Sequence, residues 1–181
     1  VKPGSKNPSA HGFMIDPGAP EEKSGVPQVP SSNNLFEFNQ AYDNDGYGMR
    51  IYGSNNNVLR NNLFERNRSG ITLEAGSTGN TLEANVVRRN LGELITDPAT
   101  LSTTLKGGYG IYALQGADAN VIVNNNVSGN ANVGIYIKTG GNLVQQNLVH
   151  DNAADGIGTL LETSGDVDPP EPDTLAGADP L

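Results

Sequence analysis

At 181 residues the chain is long enough for one domain with a continuous buried core, and its 23 glycines, 11 prolines and recurrent asparagines argue against a helical protein. With no cysteine, a disulfide framework and a thiolate nucleophile or metal ligand are excluded. A net charge of −9 disfavours nucleic acid as a partner, and no apolar run approaches the roughly 20 residues needed to span a bilayer, so membrane insertion is not expected either.

In chain order, His11-Gly12-Phe13-Met14-Ile15 carries the ending of a strand-bearing coil, and the Pro- and Gly-rich stretch after it has little periodicity. Residues 1–32 are therefore expected to form a partial coil and an N-terminal loop. From residue 33 a repeat takes over. Asparagine recurs with four residues between copies in five triplets: Asn34/39/44, Asn57/62/67, Asn80/85/90, Asn120/125/130 and Asn142/147/152. After each triplet comes glycine and an alternating apolar pair, as in Gly70-Ile71-Thr72-Leu73 and Gly134-Ile135-Tyr136-Ile137, which is the pattern of a short strand. Successive first asparagines lie 23, 23, 40 and 22 residues apart, so the third coil carries an insertion near 91–107. Three short apolar stretches per 22–23 residues predict an all-β, right-handed parallel β-helix of about five coils over 33–161, with three strands per coil. Equivalent residues then stack about 4.8 Å apart, and the asparagines form amide ladders. Residues 162–181, acidic and proline-rich, are expected to be a tail or linker.

The strand after the glycine is the candidate functional face. Its outward columns are Met14, Arg50, Thr72, Tyr112, Tyr136, Gly158 and, beside them, Asp16, Tyr52, Glu74, Leu114, Lys138, Leu160. Tyrosines stack on sugar rings, and Arg50 and Lys138 suit a carboxylate or sulfate, so an exposed stripe here would hold a linear acidic polymer. Asp16, Tyr52, Glu74 and Thr72 are the expected substrate contacts. His150, beside Asp151, is a weaker candidate for a general base. Asp43, Asp45, Asp151 and Asp155 fall at corners and offer oxygen donors of the kind calcium takes, although their spacing fits no known loop motif; no other cofactor and no assigned metal site is expected. Leu35, Val58, Val121 and Leu143 make an outward apolar stripe, which with the uncovered first coil is an expected surface for self-association.

The unit Asn-x-(Leu/Val)-x-x-Asn, then Asn, then Gly-Ile-x-Leu, clearest at Asn57–Leu73 and Asn120–Ile137, resembles the parallel β-helix repeat family that includes NosD-type periplasmic proteins and alginate C5-epimerases. The resemblance implies an extracellular or periplasmic protein that binds an acidic polysaccharide. It also implies lyase or C5-epimerase chemistry, in which Arg50 or Lys138 neutralises the uronate carboxylate and Tyr112 or Tyr136 acts as the acid. Gly18 follows Asp16-Pro17 where those enzymes carry histidine. The alternative is a non-catalytic scaffold or glycan-binding module of a larger extracellular protein. A metal-delivery accessory is disfavoured by a content of two histidines, two methionines and no cysteine.

Overall fold

A computed structural model describes residues 10–17 and 29–159; the expected 162–181 tail and Leu160 lie outside the described residues. Its backbone is a parallel β-solenoid with three sheets. The first sheet stacks Phe13–Ile15, Tyr47–Tyr52, Ser69–Glu74, Ile111–Ala113, Ile135–Ile137 and Ile157–Thr159. The second stacks Leu35–Glu37, Val58–Arg60, Thr81–Glu83, Val121–Val123 and Leu143–Gln145, and the third Gln40–Tyr42, Leu63–Glu65, Val86–Arg88, Asn126–Ser128 and Leu148–His150. Registers match the repeat residue for residue, for example Leu59↔Leu82, Leu82↔Ile122 and Phe64↔Val87. Phe13–Ile15 pairs in parallel with Tyr47–Tyr52. No described segment is helical, and none is a helix long and apolar enough to cross a membrane.

Each strand alternates, so the middle residue of each second- and third-sheet strand points inward while the first-sheet strands send in two, Ile111 with Ala113 and Ile135 with Ile137 among them, and the rod is filled by single-file rows. Leu59, Leu82 and Ile122, then Phe64, Val87 and Val127, then Met49, Ile71, Ile111 and Ile135, are wholly buried. Burial fades at the last coil, where Ile157 holds its place in the inward row yet is 51% exposed. The repeat glycine of the first sheet is required where a further coil lies against it, as at Gly12, Gly48, Gly70, Gly110 and Gly134 but not Gly156: a Cβ at Gly110 would lie 2.4 Å from Gly134 O and 2.4 Å from Val127 Cγ1.

The asparagine rows form ladders along the whole rod. In every row each Nδ2 donates to the Oδ1 one coil on, at 2.7–3.3 Å. The same Oδ1 also accepts the backbone N–H of the asparagine beneath it. Each ladder thus satisfies the backbone donors that a corner would otherwise orphan. The left-handed corner residue is not the ladder asparagine but the residue just before it, with φ between 52° and 74° at all fifteen positions, Phe38, Arg66, Ala84 and Gln146 among them. That bend lets the corner N–H bond the next coil, as Asn61 N does to Glu83 O, and aims the following asparagine inward.

The insertion is an antiparallel hairpin, Glu93–Thr96 with Thr103–Lys106, which projects from the corner between the third and first sheets. Asp97 caps its tip through Ala99 N and Thr100 Oγ1.

Candidate functional site

Strand alternation and parallel register bring the candidate residues together on one face. Met14, Arg50, Thr72, Tyr112, Tyr136 and Gly158 form one row, with Tyr52 paired to Glu74 beside it. Lys138 enters the same neighbourhood, its backbone N–H bonded to Ala113 O. The expectation of an open stripe needs correction, because Thr72 is 0%, Tyr112 3%, Glu74 4%, Arg50 8% and Lys138 9% exposed.

Side chains one coil apart close on each other. Arg50 Nη2 binds Glu74 Oε2 at 2.8 Å, and its guanidinium sits 5.0 Å over the Tyr52 ring. Tyr109, Tyr112 and Tyr136 pack as a mutual cluster, with Tyr112 centroid distances of 4.4 and 5.6 Å to the other two and 5.6 Å between those two, and Lys138 Nζ lies 5.8 and 5.9 Å from the Tyr112 and Tyr136 rings. Met14, Tyr52 and Tyr136 are the more open members. Tyr109 escaped the sequence reading; it occupies the position before the strand glycine that Tyr47 holds in the first coil, so the repeat does mark it.

The arginines of the middle coils are bound to carboxylates, with Glu65 shared by Arg66, Arg88 and Arg89. Arg60 binds Glu37, Arg66 binds Asp43 at 2.7 Å, and Arg88 and Arg89 reach Glu65 at 3.2 and 3.3 Å. The Arg66 hydrogen bond and charge hold the Asp43 carboxyl below the usual range. At Glu65 burial pushes the carboxyl up, but the hydrogen bond and charge of Arg88, with Arg66 and Arg89, outweigh it and leave it depressed. The arginines of the middle coils therefore make a charge-paired surface rather than an open basic patch.

Metal donors do not converge. Among the described residues no group of three or more His, Cys, Asp or Glu is placed to hold an ion. Of the corner carboxylates expected for calcium, Asp43 is taken by Arg66 and Asp151 by His150 Nδ1 at 2.8 Å. Asp43 and Asp45 instead share a cleft of about 260 Å³ with Arg66, Arg68 and Glu93, an assembly of both charge signs. His11 accepts Tyr47 N–H through Nδ1 at 3.0 Å and stacks on the Tyr47 ring.

The outward apolar stripe is as expected, with Leu35 55% and Leu143 47% exposed. On the third sheet beside it, Leu63, Val86 and Leu148 stand in an outward row that Gln40 opens and Asn126 interrupts. Phe38, 75% exposed, Leu63, Ala84 and Val86 line an open groove of about 520 Å³ between the two sheets. In comparisons with known proteins, the family described as periplasmic copper-binding protein (NosD) matches residues 20–168. No curated protein and no solved structure matches the chain.

Proposed function

The chain belongs to the NosD family of periplasmic copper-binding proteins, and from that footing we propose that it is a non-catalytic β-helix module, a rigid rod that binds through its surface and transforms nothing. The family is periplasmic, in agreement with the expected extracellular or periplasmic location. One observation carries the proposal: the guanidinium cast as carboxylate neutraliser is bound to Glu74 at 2.8 Å, with side-chain exposures of 10% and 5%. Freeing Arg50 for a substrate would break a buried pair, at about 3–5 kcal/mol. Tyr112, cast as the acid, is likewise shut within the tyrosine stack. Incubating the protein with polyuronates in deuterated water tests the reading. Neither unsaturated products nor deuterium at C5 is expected, and either one would overturn it.

A second reading, binding of an acidic polysaccharide without chemistry, is supported by Lys138 lying over two tyrosines while Tyr136 and Tyr52 keep an open edge. In this reading Tyr52, Tyr136 and Lys138 make the contacts, and Thr72 and Glu74 support them from below. Retention on an immobilised polyuronate should fall in Tyr136→Ala and Lys138→Ala at unchanged Tm; equal retention in both variants removes this reading.

A further inference from the structure

The family description names copper, and the donor set of this chain does not fit it; we infer that this protein is a family member with no copper site of its own. The argument rests on the whole complement of soft donors, which is His11, His150, Met14 and Met49, with no cysteine. Copper in either oxidation state draws on imidazole, thiolate and thioether ligands that converge. Here each donor is isolated or engaged.

Met49 is wholly buried in the core row. Met14 stands beside Arg50 in the outward row, whose guanidinium, already bound to Glu74, offers a metal no donor. The Nδ1 of His11 accepts the Tyr47 backbone N–H at 3.0 Å, which assigns the ring proton to Nε2. Metal at Nε2 would force the proton onto Nδ1, setting two N–H donors against each other. His150 alone has a suitable arrangement, since Asp151 at 2.8 Å orients its Nδ1–H and leaves Nε2 outward. It stands five coil steps from His11, roughly 24 Å along the rod at the strand spacing of a sheet. Its register neighbours are Ser128 and, one coil further, Arg88, and neither supplies a second copper ligand.

The test uses the full chain, loaded separately with Cu(I) under reducing conditions and with Cu(II), desalted, and measured for retained copper and for Tm. The chain is expected to retain none and to keep its Tm. A bound copper at a hundredfold excess over its Kd would raise Tm by roughly 5–10 °C. Ser128→His supplies the missing ligand, because it stacks a second imidazole about 4.8 Å from His150. That variant is expected to retain Cu(II) and to melt higher with it, which shows that the measurement responds to a completed donor set. One equivalent of copper retained by the native chain, lost in His11→Ala or His150→Ala, overturns the inference.

Discussion

Removing one amide from the middle of a ladder should be far more damaging than removing one at its end. Asn85 is wholly buried, and its Oδ1 accepts both the backbone N–H and the Nδ2 of Asn62, each at 3.0 Å. Its own Nδ2 donates to Leu59 O at 2.9 Å and to Asn125 Oδ1 at 3.0 Å. In Asn85→Ala the backbone N–H of Asn62, a residue only 2% exposed, loses its acceptor where water does not reach. One such orphan costs about 1–3 kcal/mol, and with the lost bonds to Leu59 and Asn125 the total comes to about 3–5 kcal/mol. Asn147 Oδ1 accepts the backbone N–H of Asn125 in the same way, but Asn147 is itself half-buried in the last described coil, where water can take the place of its amide, so Asn147→Ala should cost about 1 kcal/mol. Asn39, at the first coil, donates its Nδ2 to Asn62 Oδ1 at 3.2 Å, and its loss should cost no more than about 1 kcal/mol. Urea unfolding at neutral pH, followed by circular dichroism, measures all three. Equal losses along the row would refute the reasoning, since they would mean that the ladder does not shelter backbone donors inside the rod.

Gly110→Ala should cost about 3 kcal/mol or more, because its Cβ meets backbone oxygen at 2.4 Å, whereas Gly76→Ala, with open space but φ +78°, should cost about 1 kcal/mol; thermal melts separate them. Ala84→Gly, at φ 52°, should stabilise by about 0.5–1 kcal/mol, and a loss of that size would contradict the corner geometry. Glu65 is depressed by its arginines, so its stabilisation is present above the unfolded value of about 4.3 and is lost as pH falls through the lower folded value. Between about pH 5 and pH 3 the native Tm should therefore drop more steeply than that of Glu65→Gln; parallel profiles would show that the arginine cluster does not act on this carboxyl.

The rod was legible because its register is written twice, once in the asparagine spacing and once in the apolar rows, and a shift of one residue would turn both out of the core. The charge columns Glu37/Arg60/Glu83 and Glu65/Arg88 follow from the same period. The diagonal contact of Arg50 with Glu74, and the sideways reach of Arg89 to Glu65, depend on side-chain length and rotamer, which the repeat does not encode. Alternation correctly placed Thr72 and Tyr112 on the outward side, yet outward is not the same as exposed when neighbours 4.8 Å apart are arginine, tyrosine and lysine. The left-handed corner falls on Gly, Asn or Asp at nine of its fifteen positions, which residue type does mark, but at Phe38, Arg66, Ala84, Arg89, Ala119 and Gln146 it is imposed by the ladder that follows rather than by local preference. The insertion was visible as a break in period, but its hairpin carries too few strand residues for the sequence to distinguish it from a loop.

Everything depends on coils lying in register across the 40-residue step that contains the hairpin. Glu83 and Val123 are partners on the outward face of the second sheet, and the chain has no cysteine to interfere. The double variant Glu83→Cys/Val123→Cys places two thiols on partners about 4.8 Å apart, within disulfide reach, whereas Glu83→Cys/Ile122→Cys sets one of them inside the rod. Rapid disulfide formation in the first pair and free thiols in the second is the predicted outcome. Two free thiols in the first pair, in a protein that keeps its native spectrum, would contradict the stacked architecture.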